Sequence, residues 1–219
     1  EMFALLSTLL KISFIAFTDD ILGWKIGQRR RTRIMLVIFA SIPLMAINAG
    51  KSEISFPFFG TIDAGILYPI FLIPLGIVGA TTTFNFLAGY NGLEAGQGIL
   101  VLIAMAIVSY LTGNSWLSLI AIFMAAALLA FLFYNFYPAK VFPGDSLTYA
   151  VGGLMAIIAI LGNFEKIAVF FFIPYILETL LKVRGGLVKQ SYGKVLPDGA
   201  LAKPYEKIYG LEHAAIAIL

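Results

Sequence analysis

Seven long apolar runs joined by short connections limit what this chain can fold into more than anything else in it. They cover roughly residues 2–17, 34–50, 65–80, 97–112, 117–133, 147–162 and 167–182, and an eighth starts near His213. A helix needs about 20 apolar residues, range about 17 to 25, to cross a bilayer. Each run reaches that length once its polar flanks are counted. None alternates apolar and polar residues as the strands of an outer-membrane barrel do. The expected fold is therefore all-α: a polytopic membrane helix bundle of seven spans plus a truncated eighth, forming one integral membrane domain over residues 1–219. Composition agrees, with 60% apolar and 12% charged residues and a mean hydropathy of +0.94. A soluble domain carries about 25% charged residues. The chain opens at Glu1 and stops inside "AAIAIL", so it reads as a piece of a longer protein.

The absence of cysteine excludes disulfides, thiolate metal sites and cysteine nucleophiles. A single histidine, His213, cannot build a multi-histidine centre alone.

Alternating spans place every second connection on one face. Residues 18–33, 81–96, 134–146 and 183–212 share one side, and 51–64, 113–116 and 163–166 the other. Of the fifteen Lys and Arg, twelve fall in or at the border of the first set, Lys51 and Lys166 in the second, and Lys11 inside the first run. Basic residues mark cytoplasmic loops, so the first set is expected in the cytoplasm. The polar stretches "FTDDILGW", "FNFLAGYNGLEAGQG", "YPAKVFPGDS" and "KVRGGLVKQSYG" all emerge there.

Each stretch has a bland reading and a chemical one. Asp19 and Asp20 end an apolar run, where acids either meet water or serve a site. A pair of acids can hold magnesium or position a basic group. Asp145 follows Pro143 and Gly144 and either caps a helix, alone or with Ser146, or offers its carboxylate to a ligand. The glycines around Asn91 and Glu94 either let membrane helices pack closely or bring backbone N–H groups to an anion. Asn85, an amide at the apolar end of a span, needs a partner and can give an oxygen to a metal. Arg29 to Arg33 either bind anionic headgroups or clamp phosphate. Lys11 either snorkels or pairs with an acid. Carboxylates, an amide, a glycine-rich cradle and cations on one face suit magnesium with a phosphorylated ligand. Transporter sites lie nearer the midplane, often within internal repeats, and the sequence shows no repeat.

"FTDDILGW", "NFLAGYNGLEAGQG" and "YPAKVFPGDSLTYAVGG", in this order on alternate loops, resemble the polyprenyl-phosphate N-acetylhexosamine-1-phosphate transferases, of the glycosyltransferase family 4 type. The wording "LAGYNGLEAG" is closest to the eukaryotic and archaeal branch. That branch moves N-acetylglucosamine-1-phosphate from UDP-GlcNAc to dolichyl phosphate and releases UMP, the first step of lipid-linked oligosaccharide synthesis for N-glycosylation.

The resemblance implies roles residue by residue. Asn85 and Asp145 would hold Mg2+, with Mn2+ as a substitute, against the sugar-nucleotide diphosphate. Gly89 and Asn91 would recognise uracil, with Phe142 beside the base. Asp19 and Asp20 would lie near the attacking lipid phosphate. A family lysine falls on Arg33, with Arg30 as the other candidate. Arg184 would contact diphosphate or sugar, and a second arginine of that loop is replaced by glycine. Glu94 joins the phosphate and sugar contacts, and His213 takes a structural role.

Implied partners are UDP-GlcNAc, a polyprenyl phosphate and membrane lipid, with no nucleic acid and with a homodimer left open. The location is the plasma membrane for an archaeal chain or the endoplasmic reticulum for a eukaryotic one. The competing readings are another UDP-amino sugar, an undecaprenyl phosphate acceptor, and a non-catalytic membrane scaffold or transporter.

Overall fold

The computed structural model describes residues 1–56, 60–197 and 199–218; residues 57–59 and 198, in two of the expected connections, lie outside them, as do the side chains of Trp24, Lys25 and residues 53–62. Among the described residues, five helices are long and apolar enough to cross a membrane. They are α1 (Met2–Ile26, broken at Gly23), α4 (Ile73–Phe86, preceded by a π-helical turn Tyr68–Leu72), α5 (Leu93–Leu111), α6 (Ser115–Asn135) and α7 (Asp145–Gly162).

The other two expected spans fold as broken pairs. The run 34–50 becomes α2 (Arg30–Ala40) and α3 (Ile42–Ala46), separated at Ser41. The run 167–182 becomes α8 (Glu165–Phe171) and α9 (Ile173–Arg184), separated at Phe172. A proline follows each break, Pro43 and Pro174, within the first two positions of the new helix. Proline has no N–H to give the preceding turn and its ring crowds the carbonyl four residues back, so a continuous helix is interrupted there. The expected truncated eighth span is represented by α10 (Leu211–Ile218).

The chain is mostly helical, as expected, and two short hairpins in its connections add to that picture. The connection after α3 carries an antiparallel hairpin, β1 (Glu53–Phe56) with β2 (Gly60–Asp63), in the register Glu53 opposite Asp63. A second, β3 (Lys194–Val195) with β4 (Leu201–Ala202), lies between α9 and α10. Both sit in connections, where leaving backbone groups unpaired is costly.

Helix α7 is the centre of the bundle. It is 78% buried along its length, against 28% for α6, and a helix apolar on every side belongs inside. Two small residues let it approach its neighbours. A Cβ on Gly152 would lie 2.6 Å from the Ala80 carbonyl of α4, and one on Gly153 would lie 3.0 Å from Ile12 Cδ1 of α1. Backbone cannot yield as a side-chain tip can. Gly152→Ala is therefore expected to destabilise the bundle by about 1–3 kcal/mol, the usual cost of overpacking. Thermal unfolding in detergent measures it, and a variant as stable as the parent would mean that α4 and α7 separate freely.

The two sets of connections gather at opposite ends, as their parity requires. At one end Asn114 Nδ2 donates to the Gly162 carbonyl at 3.5 Å, and the Tyr68 hydroxyl donates to Glu165 Oε1. At the other end the four polar stretches meet.

Candidate active site

The start of α7 organises that end. Asp145 is the first residue of the helix, and the free N–H groups there need acceptors. The acceptor comes from α1: Asp20 Oδ1 takes the Asp145 N–H at 2.8 Å, and Oδ2 takes the Ser146 N–H at 2.8 Å and the Ser146 hydroxyl at 2.5 Å. The helix is thus capped by an acid 125 residues earlier rather than by Asp145 or Ser146. The packing is tight enough that a Cβ on Gly144 would collide with the Asp20 carboxyl group.

Asp19, the neighbouring acid, has a different task. Its Oδ1 accepts the Gln28 N–H at 2.5 Å, which folds the chain back after Gly23, and its Oδ2 accepts from Arg33 Nη2. Arg33 Nη1 donates to Asp145 Oδ2 at 2.5 Å, so one guanidinium joins α1 to α7 from the first turn of α2. The side chains of Arg33, Asp19 and Asp145 are only 18%, 11% and 27% exposed. Burial opposes the Arg33 charge, but the Tyr149 hydroxyl, Asp145 and Asp19 outweigh it and hold the guanidinium above its usual pKa.

Asn85, at the end of α4, donates from Nδ2 to Asp145 Oδ1 at 2.7 Å and to Thr148 Oγ1 at 2.8 Å. Both amide hydrogens are then engaged, and oxygen is what the side chain has left to offer. The Asp145 carboxylate and the Asn85 oxygen are hard donors one hydrogen bond apart. Among the described residues no group of three or more His, Cys, Asp or Glu is arranged to hold an ion. Magnesium commonly takes only one or two carboxylates, with substrate phosphates and water as the remaining ligands. The donor set fits an ion shared with a diphosphate.

The glycine-rich loop lies alongside. Gly89 has φ +109°, which favours glycine, and a Cβ there would also strike the Tyr192 ring at 2.8 Å. Its N–H donates to Glu94 Oε1 at 2.6 Å. Glu94 is 2% exposed, so this acid, expected among phosphate and sugar contacts, uses one oxygen to shape its own loop.

Asn135 at the end of α6 pins the loop from the other side, accepting the Gly92 N–H at 3.1 Å and donating to the Val141 carbonyl at 2.9 Å. The stretch after α9 closes over it. The Tyr90 hydroxyl donates to the Ser191 carbonyl at 3.3 Å and accepts the Gly193 N–H at 2.9 Å.

These residues surround a cleft of about 340 Å³ lined by Asp20, Asn85, Gly89, Glu94, Asp145, Lys182 and Tyr192 among others. Asp19 and Arg33 lie directly behind it. Four expected contacts are not among the lining residues. Asn91 is half-buried in the turn before α5, and Phe142 is 53% exposed beside the lining Pro143. Arg30 donates to the Leu187 carbonyl at 2.7 Å, and Arg184 is exposed in the last turn of α9. His213 is 1% exposed, with Nδ1 accepting the Tyr209 N–H at 3.2 Å and Nε2 2.9 Å from the Gln190 carbonyl, in keeping with a structural role.

Sequence reasoning missed Asn135, Lys182 and Tyr192. The first was legible by the argument that singled out Asn85, an amide at the end of an apolar run. The second had a signal too, because Glu178 and Lys182 are spaced i, i+4 on one helix. Tyr192 lies in the polar stretch "KVRGGLVKQSYG" expected at this end, but its residue type gave no separate sign of a role there.

A sequence model of the family described as Glycosyl transferase family 4 matches residues 2–163. The chain is 41% identical over 211 residues to a protein of Saccharolobus solfataricus, provisionally named UDP-N-acetylglucosamine–dolichyl-phosphate N-acetylglucosaminephosphotransferase. That match covers 95% of this chain and 64% of the relative. A Dictyostelium discoideum protein carrying that name without qualification is 35% identical over 213 residues, covering 82% of this chain and 51% of the relative. A phospho-N-acetylmuramoyl-pentapeptide-transferase of Clostridium perfringens is 32% identical over 176 residues, covering 76% and 55%. The chain thus spans between about half and two thirds of the length of these relatives.

Proposed function

The chain belongs to glycosyl transferase family 4, and from that premise we propose that it transfers N-acetylglucosamine-1-phosphate from UDP-GlcNAc to a dolichyl-type polyprenyl phosphate. One observation carries the reading: Asp20, Asn85, Asp145 and the Gly89–Glu94 loop converge on one cleft at the end of a membrane bundle. A second supports the lipid acceptor. An apolar groove of about 210 Å³ runs along α4 from Leu75 to Thr83, against Ala156, Ala159 and Phe172, and stops two residues short of Asn85. An isoprenoid chain lying there would bring its phosphate to the cleft.

In the reaction, a terminal oxygen of the polyprenyl phosphate forms a bond to the β-phosphorus of UDP-GlcNAc. The bond from that phosphorus to the oxygen bridging it to the α-phosphate breaks, and UMP leaves. A phosphate monoester has its second pKa near about 6, so the nucleophile is already ionised near neutral pH and no side chain has to take a proton from it. Asp19 and Asp20 then act through position: Asp20 fixes the start of α7, and Asp19 with Arg33 fixes the Asp145 carboxylate. Asn85 and Asp145 would hold magnesium, which when bound offsets the charge of the diphosphate. The Gly89 loop forms the nucleotide cradle. The basic loops at the same end argue for a cytoplasmic site by the positive-inside rule.

The test uses membranes containing the protein, supplied with radiolabelled UDP-GlcNAc, dolichyl phosphate and magnesium. Label should enter the organic phase, and a chelator should stop it. Label with undecaprenyl phosphate or a different UDP-amino sugar would redirect the assignment within the family. No lipid label from any such pair would refute the transferase reading and favour a scaffold or transporter.

A further inference from the structure

The cleft is lined by three carboxylates, Asp20, Glu94 and Asp145, and Lys182 is the one cation among its described lining residues. The arginines expected at a phosphate are placed elsewhere: Arg33 is engaged by Asp19 and Asp145, Arg30 by the Leu187 carbonyl, and Arg184 is exposed. A ligand carrying two phosphates therefore meets a largely acidic cleft with a single positive side chain.

Lys182 does not behave as a loose surface lysine. Its side chain is 15% exposed, and Nζ lies 3.3 Å from Glu178 Oε1 one helical turn earlier on α9. The ammonium also donates to the Phe86 carbonyl and sits 5.6 Å from the Phe86 ring centroid. Phe86 is the residue after Asn85. Glu178 is fully buried and held in turn, because its Oε2 accepts the Leu211 N–H at 2.6 Å from the start of α10. An ammonium has three donors; the Phe86 carbonyl takes one, and Glu178 faces the group as an ion-pair partner without taking a hydrogen bond. Donor capacity therefore remains for a ligand, at a point set by α4, α9 and α10 together.

We propose that Lys182 binds a phosphate group of the nucleotide diphosphate in this cleft, with Glu178 as its positioning residue. The proposal rests on the function proposed above and extends it to a residue outside the expected set. A lysine suits the place, since a compact point charge with rotatable donors can keep the Phe86 carbonyl and the Glu178 ion pair and still reach an oxygen.

The test is binding to the purified protein in lipid nanodiscs, using UDP and uridine as separate probes with magnesium present. Losing one charge-assisted hydrogen bond should weaken UDP binding by about 30-fold in Lys182→Gln, with uridine binding unchanged. Glu178→Gln should weaken UDP binding by a smaller factor with the same indifference to uridine. A merely structural lysine would instead lower both affinities together, which would overturn the proposal, as would equal UDP binding by Lys182→Gln and the parent. Should Lys182→Gln fail to fold, amine acylation read by mass spectrometry serves on the unmodified chain. UDP should protect Lys182 and uridine should not, and equal labelling with and without UDP would overturn the assignment. Failure of the parent protein to bind UDP at all would instead bring down the transferase reading, and this proposal with it.

Discussion

Asp145→Asn is expected to lower sugar-phosphate transfer by about 100- to 1,000-fold, the scale on which removal of a preorganised charge-stabilising group acts, while the bundle stays folded. Asp145 is the meeting point of the site. Its Oδ1 accepts from Asn85, its Oδ2 accepts from Arg33, and its own N–H is held by Asp20. Asparagine keeps the shape but removes the charge, and it places an NH2 donor where either Asn85 or Arg33 already donates. One bond must therefore be lost whichever way the new amide turns. The side chain is 27% exposed, so solvent relieves part of that mismatch and stability falls by only about 1–2 kcal/mol. Organic-phase label against the parent protein measures the first effect and thermal unfolding in detergent the second. Turnover within tenfold of the parent would remove Asp145 from the reaction.

Arg33→Met is the second variant with a large expected effect, and here stability and activity fall together. The guanidinium bridges Asp19 and Asp145 with two donors in a fork, and methionine leaves both carboxylates without it. Removing one partner of a buried ion pair costs about 3–5 kcal/mol; the partial exposure of all three side chains places the expected loss at the lower end, about 3 kcal/mol. Arg33→Lys should recover only part of it, because a point charge does not reproduce the planar fork. Thermal unfolding of the three proteins, with transfer measured alongside, decides the matter. Equal stability of parent and Arg33→Met would show that the two acids need no cation between them.

Much of this was legible along the chain, and the exceptions have identifiable causes. Runs 97–112 and 117–133 became α5 and α6 with ends displaced by only a few residues, because nothing inside them interrupts a helix. Runs 34–50 and 167–182 are also largely apolar, yet Pro43 and Pro174 break them into pairs. Hydropathy averages over a proline, whereas the hydrogen-bond ladder does not. For the site, Asp20, Asn85, Gly89, Glu94 and Asp145 were named from residue type and place, and they share one cleft. Lys182, the first residue of the stretch "KVRGGLVKQSYG", lines that cleft, while Arg30 and Arg184 do not.

What the sequence determined by itself is the solvent and the grouping. So few charges cannot cover a soluble surface, and the alternation of apolar runs with polar connections decides which loops share an end of the bundle. Which atoms meet at that end was decided only by the tertiary structure. Asp20 caps a helix 125 residues away, Arg33 joins α1 to α7, and Lys182 is delivered to Phe86 by a helix that restarts after a break. Each of those contacts depends on helix approach distances. Those distances are set by small features such as Gly152 lying against the Ala80 backbone, and close packing of this kind has no period that can be read along the chain.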